Sequence, residues 1–135
     1  MENYESILKF EGYIVNEVYF KKNEKFKNNN EGTTIDIQIL PKVNIKKDNM
    51  DIILNTEIFT NAIEKNYPFE MKVRITGKFI IKEELAQRFV KNAIAILYPY
   101  VRAIISTYTA SANINPLILP AINVNKLIED QLKKD

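Results

Sequence analysis

The side chains that could do chemistry in this sequence are carboxylates and lysines, because its 135 residues include no histidine and no cysteine. Histidine is the commonest general base and metal ligand, and cysteine is the usual thiolate nucleophile and zinc ligand. The adjacent acids Glu83-Glu84 and Glu129-Asp130 are better explained as partners of helix dipoles than as catalytic pairs. The few glycines stand singly, so no phosphate-binding loop can be built. We therefore expect no enzyme activity, no metal site and no cofactor.

The charges predict no nucleic-acid partner. The chain has 19 basic and 17 acidic residues, a formal net charge of +2, and the two signs are interleaved along most of its length. The most basic stretch, 21–27, contains one acid and one aromatic residue and leads into three asparagines. A solvated loop explains this stretch better than a phosphate-binding surface does.

Composition predicts one soluble domain, residues 1–135. Hydrophobic residues make up 46% and charged residues 27% of the chain, and its length suits a single core. The longest apolar run, 93–98, is far shorter than the roughly 20 residues of a membrane span. The first five residues lack the basic region of a signal peptide. We expect a cytoplasmic protein that does not insert into membranes.

The order of the elements predicts an α+β fold. Four strands are expected over residues 7–20, 34–45, 52–63 and 69–81, with Gly12 as a bulge or a close-approach site. Pro41 should break the ladder, which indicates an edge strand or a bulge at that point. Residues 69–79 alternate apolar and polar side chains, so one face of the sheet is buried. Apolar spacing over 83–108 predicts the helix that covers it. The predicted fold is a four-stranded antiparallel sheet covered on one face by a long helix and a short C-terminal helix, which Asn123 or Asn125 can cap.

The middle of the long helix predicts an oligomer. Residues 93–98 are apolar on every side, whereas one sheet covers only one side, so a second subunit is expected to cover the other. Pro99 should make the helix kink or restart near Tyr98. The alternative, in which the C-terminal segment supplies the cover, has few apolar residues available. The predicted oligomer interface consists of Ile94, Leu97, Tyr100, Val101, Ile104, Ile105 and Tyr108.

Two linked motifs resemble the SecB family of export chaperones. Residues 96–102, Ile-Leu-Tyr-Pro-Tyr-Val-Arg, are similar to the aromatic-Pro-Tyr-x-Arg helix signature of that family, and residues 116–123 look like its apolar loop before the final short helix. The resemblance extends more loosely over nearly the whole chain. It implies a sheet with two helices, a homotetramer built as a dimer of dimers, and nucleotide-independent holdase activity on unfolded or precursor polypeptides.

A holdase surface needs broad apolar area without fixed hydrogen-bond demands, and aromatic and aliphatic residues beside the proline-framed loop provide it. Ordinary core or subunit packing is the alternative role of these residues. The predicted client-binding residues are Tyr98, Leu117, Ile118, Leu119 and Ile122.

The resemblance also predicts where a translocase would dock. In Gram-negative members, carboxylates on the exposed sheet face bind the ATPase SecA, and the corresponding residues here are Glu17, Lys21 and Lys72. Only Glu17 keeps the negative charge, and two reversed charges would repel the same partner. The sequence therefore argues against SecA as a partner.

Three functional hypotheses remain open on the sequence. A general or export holdase would bind many unrelated unfolded proteins. A dedicated chaperone would bind one partner, such as the antitoxin of a toxin-antitoxin pair. A non-chaperone oligomeric binding or scaffold protein would share only the fold and would suppress no aggregation.

Overall fold

The structure, a computed structural model, describes residues 7–28 and 35–112, which form an antiparallel sheet with helices against one face. The strands lie in the order β1-β4-β3-β2, so β1 and β2 are the edges. The strands are β1 (Lys9–Lys22), β2 (Ile37–Lys46), β3 (Asn49–Ile58) and β4 (Phe69–Ile80). The helices are α1 (Ala62–Lys65), α2 (Glu83–Ala86), a 3₁₀ turn (Gln87–Phe89) and α3 (Val90–Ser111). The α+β prediction is confirmed, while the short last helix lies outside the described residues.

The two central strands form the core by strict alternation. Every second residue of β3 from Met50 to Ile58 is buried, and so is every second residue of β4 from Phe69 to Phe79, while the residues between them are half-buried or exposed. This period of two places one apolar row of each strand on the same face. The long helix α3 packs across that face, against both β3 and β4. We call this the inner face of the sheet and the opposite side the outer face.

A glycine sets how closely the helix approaches the sheet. Gly77 is a buried position of β4, and a Cβ atom added there would overlap the Leu97 side chain of α3. Leu97 is completely buried. The missing side chain at 77 therefore makes the notch into which Leu97 fits.

The first strand is irregular in two places. Its pairing with β4 shifts between Phe10 and Gly12 and again between Val15 and Glu17. Gly12 has a φ of +128°, a conformation that L side chains rarely adopt, so the predicted bulge at Gly12 is confirmed.

The structure departs from the predicted strands most clearly at the end of β3 and at Pro41. Strand β3 ends at Ile58 instead of residue 63, because Phe59 and Asn61 take left-handed φ values of 57° and 62° and turn the chain into α1. Pro41 lies on an edge strand, as predicted. Pro41 does not break the ladder, however. It stands in the middle of β2, opposite Leu54 of β3.

The long helical region is interrupted earlier than predicted. Phe89, with φ −111° and ψ 10°, separates the 3₁₀ turn from α3, and α3 then continues through Pro99 to Ser111. Of the two predicted alternatives near Tyr98, the restart is therefore wrong, and the kink stays a prediction. Pro99 and Ala95, whose carbonyl loses its helical partner, are both exposed, so water can satisfy that carbonyl.

Candidate functional site

A concave surface with aromatic side chains lies where β1 ends and β4 begins. Phenylalanines from three parts of the chain, Phe20, Phe26 and Phe69, line a cleft of about 600 Å³ together with Pro68. Its remaining lining residues are polar: Lys22, Asn23, Glu24 and Asn28. We call this surface the aromatic cleft.

Ring packing fixes the floor of the aromatic cleft. The ring centroid of Phe69 lies 5.1 Å from those of both Phe20 and Phe59, and the contact with Phe59 is edge-on. Phe59 in turn lies 4.8 Å from the ring of Tyr67. These separations are typical of favourable aromatic pairs. The floor is therefore built from side chains that also belong to the core.

A buried asparagine holds one wall of the cleft. Asn23 is 4% exposed and follows β1 directly. Its Nδ2 donates to the carbonyl oxygens of Ala62 and Tyr67, at 3.1 and 2.9 Å, and its Oδ1 accepts from the backbone N–H of Lys25 at 2.9 Å. Each bond satisfies a polar group that would be costly to leave unpaired at a buried position. The chain around Phe26 is thus tied to the turn before β4.

A second apolar surface runs along the edge of α3. Tyr13 of β1 and Tyr100 of α3 stack with centroids 4.4 Å apart. They line a groove of about 340 Å³ with Ile104, Tyr108 and three small residues, Ala103, Thr107 and Ser111. We call this surface the helix groove. The rings of Phe20 and Tyr108 lie 5.4 Å apart, so the aromatic cleft and the helix groove meet.

The structure corrects part of the predicted oligomer interface. Ile94, Leu97, Val101 and Ile105 are at most 1% exposed, because α3 turns them onto the inner face of its own sheet. They therefore offer no surface to another subunit. The other predicted interface residues, Tyr100, Ile104 and Tyr108, keep exposed or half-buried side chains in the helix groove and stay a prediction.

The predicted client residue Tyr98 is also corrected. Its side chain belongs to the core and is only 3% exposed. Burial raises the pKa of its hydroxyl above the usual value, although the positive charge of Arg102 acts in the opposite direction. A client could not reach Tyr98 in this structure. The other predicted client residues, Leu117, Ile118, Leu119 and Ile122, lie outside the described part of the chain.

The outer face brings together the three residues of the predicted docking face. Glu17 and Lys21 are exposed on β1, and Lys72 is exposed on β4 opposite Tyr19. The Lys72 ammonium lies 5.9 Å from the centroid of the Tyr19 ring, within the range of a cation–π contact. Arg74 pairs across the strands with Glu17. The charges on this face are therefore mixed.

The aromatic cleft is not visible in the sequence. The sequence pattern places Phe20 and Phe69 in strands and Phe26 in a solvated loop. A weak signal was present, since an aromatic residue among lysines is unusual for a loop that only faces water. The convergence of positions 20, 26 and 69 depends on the pairing of β1 with β4, which no local pattern encodes.

No helix among the described residues is long and apolar enough to cross a membrane. Within the same residues, acidic side chains do not gather into groups of three that could hold a metal ion.

Comparison with known proteins gives consistent results. Residues 9–135 match the family described as preprotein translocase subunit SecB. The chain is 36% identical over 124 residues to an uncharacterized protein of Methanocaldococcus jannaschii, which covers 87% of this chain and 79% of that protein. It is 37% identical over 82 residues to the protein-export protein SecB of Anaplasma phagocytophilum, covering 56% of this chain and 52% of that protein. The chain thus matches about half the length of that SecB protein.

A solved structure shares the fold. A SecB-like chaperone of Mycobacterium tuberculosis, in complex with a ChAD peptide from the HigA1 antitoxin, superposes with a TM-score of 0.67 at 16% identity and covers 85% of this chain and 90% of its own. A Streptococcus agalactiae protein of unknown function has a TM-score of 0.51 at 14% identity and covers 84% of this chain and 96% of its own. At these identities the match concerns the fold alone.

Proposed function

Because this chain belongs to the SecB family, we propose that it is a holdase, a chaperone that keeps other polypeptides unfolded without using ATP. The observation that carries this proposal is the aromatic cleft, in which three phenylalanine rings from separate parts of the chain converge. It offers aromatic faces to an apolar segment of a client. Such a surface suits unrelated apolar segments, since packing on a ring requires no particular partner geometry.

The proposed binding surface includes the apolar loop identified in the sequence. Leu117, Ile118, Leu119 and Ile122 follow α3, whose last residue, Ser111, lines the helix groove. We propose that they contact clients alongside the aromatic cleft. We place this activity in the cytoplasm, in line with the composition.

Self-association is also part of the proposal. The exposed part of Tyr100, Ile104 and Tyr108 suits a subunit contact, and β1 leaves one edge of the sheet unpaired. We propose a dimer built on this side, with a dimer of dimers as the complete assembly. SecA is not among the proposed partners, because the reversed charges of Lys21 and Lys72 oppose such docking.

The test is suppression of aggregation. A denatured client is diluted into buffer with increasing amounts of the purified protein, and light scattering is followed. We expect suppression by the wild type and a roughly fivefold or larger rise in the amount needed for half-suppression by Phe26→Ala, because truncating a central aromatic anchor commonly costs that much. Phe26 is a suitable target since it is half-buried and outside the core cluster.

The matched control is Leu40→Ala. Leu40 is 45% exposed on the outer face of β2, so this change also removes exposed apolar area, but away from the cleft. It should leave suppression unchanged. A Leu117→Ser/Leu119→Ser variant tests the loop in the same assay. Equal behaviour of Phe26→Ala and Leu40→Ala would contradict the assignment of the cleft.

A dedicated chaperone for one partner, such as an antitoxin, is the second candidate. The specific observation in its favour is that the M. tuberculosis protein with the same fold was solved with an antitoxin peptide bound. A panel of unrelated denatured clients separates the two candidates. Suppression of most clients supports the general holdase, and suppression of one supports the dedicated chaperone. No suppression with any client would leave only a binding or scaffold protein.

A further inference from the structure

The loop that forms a wall of the aromatic cleft carries a net positive charge. Residues 22–28, which we call the lysine loop, include Lys22, Lys25 and Lys27 against a single acid, Glu24, and all four side chains are exposed. Lys22 and Glu24 line the cleft themselves. Lys25 and Lys27 flank Phe26, the aromatic residue that the loop contributes to the cleft.

The lysine loop is held at both ends by specific bonds. Asn23 anchors its first half, as described above. In its second half, the backbone N–H of Lys27 donates to Oδ1 of Asn66 and the Lys27 carbonyl accepts from Nδ2 of Asn66, each at 2.9 Å. This reciprocal pair fixes the backbone of Lys27, the residue that follows Phe26. The positive charges therefore have a defined position relative to the aromatic rings.

The turn on which the loop rests, residues 59–68, offsets this charge only in part. Its Lys65 lies 3.9 Å from Asp36, so these two opposite charges offset each other, while its Glu64 lines a pocket together with Lys22. Lys25 and Lys27, which flank Phe26, are exposed. A peptide whose apolar side chain enters the cleft must pass its neighbouring residues over the lysine loop. Acidic neighbours would meet opposite charges there, and basic neighbours would meet like charges.

We propose that the aromatic cleft selects polypeptide segments in which an aromatic or branched aliphatic residue is flanked by acidic side chains. This inference rests on the proposed holdase function and adds the class of segment bound. Apolar contact with Phe20, Phe26 and Phe69 supplies the anchor. The charges of Lys22, Lys25 and Lys27 decide between segments with the same anchor.

The test uses two fluorescent peptides with the same apolar centre, one flanked by glutamates and the other by lysines. Their affinities for the full-length protein are measured by fluorescence anisotropy. At low salt we expect the acidic peptide to bind roughly three- to tenfold more tightly, the range for a few partly exposed ion pairs. The ratio should fall toward one as salt approaches 0.5 M, because the charges are near the surface.

Two triple variants locate the effect. In Lys22→Gln/Lys25→Gln/Lys27→Gln, the two peptides should bind with equal affinity. In the matched control Lys42→Gln/Lys46→Gln/Lys91→Gln, which removes the same charge from exposed lysines of β2 and α3, the preference should persist. Circular dichroism and sedimentation check that both variants keep the fold and assembly.

Three results would overturn the inference. Equal binding of both peptides to the wild type would leave the holdase proposal standing and remove the charge selection alone. Loss of the preference in both triple variants would assign it to overall charge instead of the lysine loop. If neither peptide bound at any salt concentration, the proposed function of the cleft would fail as well.

Discussion

At the scale of single residues, Asn23 connects the fold to the proposed function. It is one of the few buried polar side chains in the described structure, and it joins the end of β1 to the turn that precedes β4. A hydrophobic side chain of similar size could fill the same space but could not donate to the Ala62 and Tyr67 carbonyls. Its role is therefore specific to the amide group.

We expect Asn23→Ala to lower the free energy of unfolding by about 2 kcal/mol, because the carbonyls of Ala62 and Tyr67 lose the amide donor and the backbone N–H of Lys25 loses its acceptor. The Ala62 carbonyl keeps the backbone N–H of Tyr67 as a donor. Urea denaturation measures this cost. The control is Asn16→Ala on β1, where an exposed Oδ1 accepts from the Thr76 hydroxyl and the cost should stay below about 0.5 kcal/mol. Similar values for the two variants would show that Asn23 is no structural anchor.

At the scale of elements, the contact between α3 and β4 depends on the notch at Gly77. We expect Gly77→Ala to destabilise the protein by about 1–3 kcal/mol, because the added methyl group overlaps Leu97. Leu97→Ala alone should cost about 2–5 kcal/mol through the cavity it leaves. In the double variant the new methyl group occupies part of that cavity, so the total should be smaller than the sum by about 1 kcal/mol or more.

The control for this coupling repeats the experiment with Ile105, another core residue of the same helix, in place of Leu97. Ile105 lies eight residues further along α3, about 12 Å away along the helix axis. It is fully buried, so Ile105→Ala is also costly, but the costs of Gly77→Ala and Ile105→Ala should simply add. Thermal or urea unfolding of the single and double variants measures both couplings. Equal couplings would contradict the notch.

The elements also show what the sequence can and cannot specify. The alternation in β4 predicted its bounds almost to the residue, because a half-buried strand has a period of two that few other structures produce. The pattern does not indicate where β3 ends, since the left-handed turn at Phe59 and Asn61 follows an unbroken run of alternating apolar residues. The apolar spacing of the helix marks Ile94 and Leu97 as buried, but they pack on the chain's own sheet and not on a second subunit. Burial against the chain's own sheet and burial against a subunit demand the same residue types.

At the scale of the whole molecule, the two edges of the sheet differ. Strand β2 also exposes apolar side chains, Leu40 and Val43, but it carries Pro41 followed by Lys42 near its middle, features that discourage pairing with another strand. Near the middle of β1, by contrast, Ile14 and Val15 are 51% and 46% exposed, with Tyr13 beside them. An exposed apolar edge of this kind is a ready site for pairing with a second copy. The asymmetry supports assembly through β1 and the adjoining helix groove.

We expect Val15→Lys to reduce the assembly to a smaller species, because the new charge would be buried beside Tyr13 and the helix groove of a second subunit. Sedimentation velocity and light scattering of the purified protein measure the mass. The matched change on the other edge, Leu40→Lys, adds the same charge at a similarly exposed residue of β2 and should leave the mass unchanged. A wild type that is monomeric at micromolar concentration, or a Val15→Lys variant of unaltered mass, would rule out assembly through β1. Because the aromatic cleft lies at the end of the same strand, loss of the assembly in Val15→Lys should also weaken aggregation suppression if clients span two subunits.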